Sequence, residues 1–200
     1  MRICFVDVES TGTDVDRDEL IEVCAVVWND GKTAPSYSKR FFPTGPLEQE
    51  AQIVNGYDRA VWERDGAEYF TAAHAEKIGE VLAYAGILGG AAVAFDRDML
   101  KRAFERVRVP FPKLSHRLVD VQSMGAPLVF AELIKTCKEG ENPDLASPVP
   151  SLAQLQEYFG LGPVKHNAVE DVFNTIKVFE KLLQTVCPYF YAAAQKGSQA

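Results

Sequence analysis

The chain has no apolar run approaching the roughly 18–20 residues that a membrane-spanning helix requires, so its hydropathy gives no support to a membrane role. Its opening, Met1-Arg2-Ile3-Cys4-Phe5-Val6-Asp7, holds too short an apolar stretch for a signal peptide and is broken by a carboxylate. Cysteine is sparse: Cys4, Cys24, Cys137 and Cys187 are scattered, with no Cys-x-x-Cys pair. That spacing suggests neither a zinc site nor a disulfide framework and predicts reduced thiols in a cytoplasmic protein. Positive charge is also scarce, and a net charge of −7 at first argues against a nucleic-acid partner. Net charge, however, governs solubility and steering, whereas binding depends on where the charge sits. A carboxylate cluster that holds metal ions carries negative charge which those ions neutralise.

What remains is a chain of 200 residues, 47% hydrophobic and 24% charged, which fits one globular domain with a sizeable core. We take residues 1–187 as that domain and 188–200 as a C-terminal tail. The basic residues are unevenly spread: Arg97, Lys101, Arg102, Arg106, Arg108, Lys113 and Arg117 face only Asp98 and Glu105 over the same stretch. Such a run is either a solvated helix face or a phosphate contact.

Arg2–Glu9 alternates, with Ile3, Phe5, Asp7 and Glu9 on one face and Cys4, Val6 and Val8 on the other, which predicts a central strand. Leu20–Trp28 reads as a second strand, Asn29-Asp30-Gly31 as a hairpin turn and Tyr37–Phe42 as a third strand. After Pro43-Thr44-Gly45-Pro46 the pattern turns helical, with a helix over Ala72–Leu88 ended by Gly89-Gly90. Ala91–Phe95 is expected as a short buried strand, Met99–Val107 as a basic helix, Leu118–Val121 as an apolar run and Leu128–Cys137 as a helix. Lys138–Pro150 reads as a loop. Ser151 with Gln154 forms a capping-box pattern for a helix ending at Gly160. Asn167 caps a last helix whose apolar positions, Val169, Val172, Ile176, Phe179 and Leu183, run down toward Pro188. The order predicts an α/β domain with a mixed sheet flanked by helices.

Three elements carry chemistry. Asp7 and Glu9, two apart on a strand, point to one face, where two carboxylates repel unless a cation lies between them. Asp96 ends the expected strand Ala91–Phe95, a place where α/β sheets gather ligands. Asp171 lies just inside the last helix, and His166 just outside it in a loop that can swing. A fixed ligand beside a movable base suits activation of a metal-bound water.

Phe5-Val6-Asp7-Val8-Glu9-Ser10-Thr11-Gly12, Phe95-Asp96 with Leu100, and His166 with Asp171 resemble the three motifs of the DEDDh 3′–5′ exonucleases. That family includes the proofreading subunit of bacterial replicative polymerase, ribonuclease T and oligoribonuclease. Leu20–Val27, Val54–Asp58, Val119–Val121 and Ser151–Leu161 resemble its intervening segments, so the likeness runs from Arg2 to Leu183. It implies a ribonuclease H-like exonuclease fold. It also implies two Mg2+ or Mn2+ ions held by Asp7, Glu9, Asp96 and Asp171, with His166 as general base. Asp7 would bridge the ions, and Asp96 would bind through water or stand one layer out from them. Ser10, Thr11 and Phe95 are expected beside the terminal nucleotide, and Lys101 and Arg102 along the strand backbone. The partner implied is the 3′ end of single-stranded DNA or RNA. A homodimer stays open, and no polymerase partner is assigned.

The chain departs from many members in carrying Ala91-Ala92-Val93-Ala94 where they carry His-Asn-Ala before Phe-Asp. An exoribonuclease and a non-catalytic nucleic-acid-binding domain remain alternatives on the same fold. A third is an endonuclease of the wider ribonuclease H-like class, against which His166, five residues before Asp171, weighs.

Overall fold

The computed structural model describes residues 1–47, 49–136 and 147–186. Strands β1 (Arg2–Ser10), β2 (Leu20–Asn29) and β3 (Lys32–Phe42) form the expected antiparallel meander. Asp30 and Gly31 join β2 to β3 with φ of 48° and 84°, the left-handed pair whose twist matches that of the strands. Pairing resumes at once beyond this turn, Asn29 against Lys32, so β3 begins at Lys32 rather than Tyr37.

Helices α1 (Gln49–Asn55) and α2 (Arg59–Arg64) and the short β4 (Glu68–Tyr69), parallel to β3, lead into α3 (Ala72–Ala85). Gly86 ends α3 with φ of 76°. The Gly89-Gly90 pair, expected to end that helix, instead forms β5 (Leu88–Gly90), parallel to β1. A Cβ on Gly89 would lie 2.8 Å from Ile3 Cγ2, and one on Gly90 would lie 2.9 Å from the Val6 carbonyl oxygen. Bare backbone is what lets β5 approach β1 so closely.

The strand expected over Ala91–Phe95 is therefore corrected. The chain turns at Ala92, φ 57°, and enters α4 (Val93–Arg106), which puts Phe95 and Asp96 on the first helical turn. Val93, Met99, Leu100, Ala103 and Phe104 form its buried face. A short apolar run does not by its pattern separate a strand from a buried helix.

β6 (Leu118–Asp120) pairs with β5, and the Asp120 carboxylate then caps α5 (Val121–Met124), accepting from the Gln122 N–H at 2.9 Å. The helix expected over Leu128–Cys137 shrinks to α6 (Ala126–Phe130), because Glu132 adopts φ of 58° and breaks it. Cys137, most of the Lys138–Pro150 segment, Cys187 and the 188–200 tail lie outside the described residues. α7 (Leu152–Tyr158) carries the Ser151–Gln154 capping box. The Asn167 side chain accepts from the Glu170 N–H at 3.2 Å at the start of α8 (Ala168–Val186).

Among the described residues the strands order as β4-β3-β2-β1-β5-β6, which makes β1 central as its two-sided apolar pattern requires. Cys4, Val6 and Val8 face a core completed by α3 and α4, while Ile3 and Phe5 face one completed by α5, α7 and α8. Asp7 and Glu9 continue the second face to the strand end. Among the described residues no helix is long and apolar enough to cross a membrane.

Candidate active site

The C-terminal end of β1 meets the first turns of α4 and α8. Glu9, His166 and Asp171 each present a ligating atom there, all within 4.8 Å of one another. Asp96, buried on α4, accepts the Val8 N–H through Oδ1 at 3.2 Å. Its Oδ2 is buried with no hydrogen-bond partner among the described residues. Position on a first helical turn favours this carboxylate through the helix dipole, yet leaves one oxygen unanswered.

Asp171 is buried and accepts two backbone N–H groups, from Lys165 at 3.2 Å and Asn167 at 3.1 Å. These residues flank His166. Its exposed side chain stands on a backbone with φ of 50°, a conformation costing a non-glycine residue about 1–2 kcal/mol. The sequence suggested a loop free to swing; the backbone is in fact clasped on both sides by Asp171, leaving freedom to the ring.

The charges are packed beyond what side chains alone relieve. Burial, then Asp96, Glu9, Asp171 and Glu22, hold the Asp7 carboxyl well above the usual carboxylate range. Burial, with Glu22 and Asp171, raises Glu9 to about 7. Asp96 is pushed up by burial and, further, by Glu9 and Asp120, against the pull of the Val8 N–H. A divalent cation would reverse these shifts, because it favours the ionised form of every carboxylate around it. The carboxylate oxygens, one of them orphaned, fit a hard ion such as Mg2+ or Mn2+, with the His166 imidazole beside them.

The expected substrate contacts divide. Ser10 stays at the strand end, its carbonyl accepting from Asn55 Nδ2 of α1 at 3.2 Å. Thr11 is turned inward and buried, its hydroxyl accepting the Glu19 N–H at 2.9 Å. Phe95 packs partly against the core. Lys101 keeps a half-exposed ammonium 3.8 Å from Asp98. Arg102 is tied to Glu105 at 2.9 Å and to Asp16 at 3.3 Å, and Arg106 donates to the Asp16 and Asp18 carbonyls at 3.0 and 2.6 Å. This part of the basic run stitches α4 to the loop after β1.

Glu22 and Arg40 were not singled out from the sequence. Glu22 is buried opposite Glu9 on β2, and Arg40 Nε donates to it at 3.1 Å. An isolated carboxylate inside the apolar run Leu20–Trp28 was the available signal. Cys24, opposite Asp7, is a free buried thiol that burial and Asp7 push up to about 12, so it stays neutral.

The exonuclease family model matches residues 4–179. No curated protein matches the chain. Among solved structures, the zinc-bound complex of E. coli exonuclease I with single-stranded DNA superposes with a TM-score of 0.74 at 20% identity, over 96% of this chain and 42% of that one. An exonuclease I structure described as suggesting how processivity is achieved gives 0.75 at 20% identity, over 96% and 42%. The E. coli enzyme with a dT13 oligonucleotide gives 0.73 at 21% identity, over 96% and 43%. The chain thus shares the ribonuclease H-like fold of these structures and spans less than half of their length.

Proposed function

Since the chain belongs to the exonuclease family, we propose that it is a metal-dependent 3′–5′ exonuclease of the DEDDh type. It hydrolyses the terminal phosphodiester of a single strand and releases nucleoside monophosphates. The observation that carries this reading is the convergence of Glu9, His166 and Asp171 within 4.8 Å, beside two further buried carboxyls, Asp7 and Asp96, that burial and neighbouring acids push well above the usual carboxylate range.

Asp7, Glu9, Asp96 and Asp171 would hold two Mg2+ or Mn2+ ions, which supply charge neutralisation at phosphorus and a more acidic water. His166, exposed at the mouth of the cluster, takes the proton from the attacking water, as a general base within reach of it must. The clasp of Asp171 on both sides of His166 sets where that ring can stand. Ser10 and Phe95, at the ends of β1 and in the first turn of α4, border the terminal nucleotide. Lys101 suits a backbone phosphate. Arg102 is less available, since it already spans Asp16 and Glu105.

DNA is favoured over RNA, a preference supported by the single-stranded DNA bound in the matched exonuclease I structures. We take residues 1–187 as a single catalytic domain with a short tail, acting in the cytoplasm. The test is degradation of end-labelled single- and double-stranded DNA and RNA with Mg2+, Mn2+ or chelator, by wild type and by Asp7→Ala. Metal-dependent release of mononucleotides from single-stranded DNA, lost in Asp7→Ala, is expected. Faster RNA loss would make it an exoribonuclease, and wild-type cleavage by Asp7→Ala would refute the mechanism.

A further inference from the structure

Glu22 is 3% exposed on β2, in register with Glu9 of β1 on one side and Arg40 of β3 on the other. Residues in register on neighbouring strands share a face, so the three side chains form a row on the face that α8 covers. Arg40 is fixed in several directions. Its Nε donates to Glu22 at 3.1 Å and its Nη1 to Asp65 at 3.1 Å. Its guanidinium carbon lies 5.1 Å over the Trp62 ring of α2. On the other side, the first residue of α8, Ala168, is buried in the same core cluster as Cys24 of β2, and Asp171 of that first turn converges with Glu9, the residue in register with Glu22.

A carboxylate buried beside others is costly, and an apolar side chain would serve packing better. Glu22 is outside the group of converging ligand atoms formed by Glu9, His166 and Asp171. Its neighbours suggest a different task. It stands between one member of that group and the start of the helix that carries another, with His166 on the adjoining loop.

We propose that Glu22, held by Arg40, is a positioning residue that anchors the first turn of α8 to β2 and so sets Asp171 and His166 against Glu9. This rests on the exonuclease reading above. The arrangement makes the metal cluster depend on a fork that also grips α2, outside the cluster.

Arg40→Met separates this role from a plain charge effect, because the two predict opposite signs. By Coulomb's law alone, removing a positive charge near an acidic cluster tightens cation binding. Positioning requires the reverse: Glu22 is released, Mn2+ affinity falls about tenfold, as loss of an outer-shell support does, and kcat drops while KM for a single-stranded oligonucleotide stays the same. Arg40→Lys keeps the charge but cannot fork to Glu22 and Asp65 together, and should fall between. Mn2+ titration calorimetry, steady-state kinetics and melting curves on the full chain read these outcomes. Tighter or unchanged Mn2+ binding by Arg40→Met overturns the proposal. If that variant does not fold, wild-type Mn2+ affinity and kcat in Arg40→Lys overturn it instead. A wild-type protein that neither binds Mn2+ nor cleaves would refute the exonuclease reading itself.

Discussion

At Asp171 one carboxylate serves the loop and the cluster together, accepting the N–H groups on either side of His166 while its helix holds it at the site. His166 can therefore be removed without dismantling the ligands. His166→Ala should lower kcat by about 10²–10⁴-fold, the usual worth of a general base, while Mn2+ titration still shows binding; retention of full rate would remove it from the chemistry. The two basic candidates separate just as clearly. Lys101→Ala should weaken oligonucleotide binding and reduce the slope of log affinity against log salt by about one, as loss of one phosphate contact does. Arg102→Ala should act on stability, because its partners are Asp16 and Glu105. Identical salt slopes for wild type and Lys101→Ala would exclude the phosphate contact.

At the scale of elements, β5 and the start of α4 are where the pattern of residues and the fold part company. Asp7 and Glu9 were placed correctly because a two-residue period on β1 admits one reading. Asp171 was too, because Asn167 and the apolar face of α8 define a capped helix. Asp96 was named as a candidate ligand while its element was mistaken: Val93-Ala94-Phe95 suits a strand, and only contact with β1 reveals that the strand already ended at Gly90. Glu22 escaped notice because its meaning lies in partners from β1, β3 and α8 that no local spacing encodes. The close approach of β5 is testable. Gly90→Ala puts a methyl 2.9 Å from the Val6 carbonyl oxygen, and overpacking of this kind should cost about 1–3 kcal/mol in urea unfolding. Ala92 at φ of 57° gives the opposite expectation: Ala92→Gly should gain about 0.5–1 kcal/mol by relieving the left-handed backbone, less the entropy glycine adds to the unfolded chain. No gain would mean that the Ala92 backbone carries little strain.

For the whole molecule, the acidic cluster links stability to both pH and metal. Asp7, Glu9 and Asp96 hold their protons more tightly folded than unfolded. Stability then falls as pH rises, from the unfolded value of each group through its folded one, because the native state binds the extra proton in that interval. For Glu9 the window runs from 4.5 to about 7. In chelator, the melting temperature should decline across this window, and Mn2+ should raise it more above the window than below, where protons compete with the ion. A melting temperature indifferent to Mn2+ throughout would show that the cluster does not hold the ion. The formal net charge of −7, which seemed to speak against nucleic acid, counts the carboxylates of this cluster.

The clasp around His166 has one more consequence. The amide hydrogens of Lys165 and Asn167 end on the two oxygens of Asp171, so any ion drawing electron density from that carboxylate must alter both. Their resonances form a built-in pair of reporters, one on each side of the histidine. With diamagnetic Mg2+ they should move together during titration, giving a view of cation arrival that needs no substrate and no turnover.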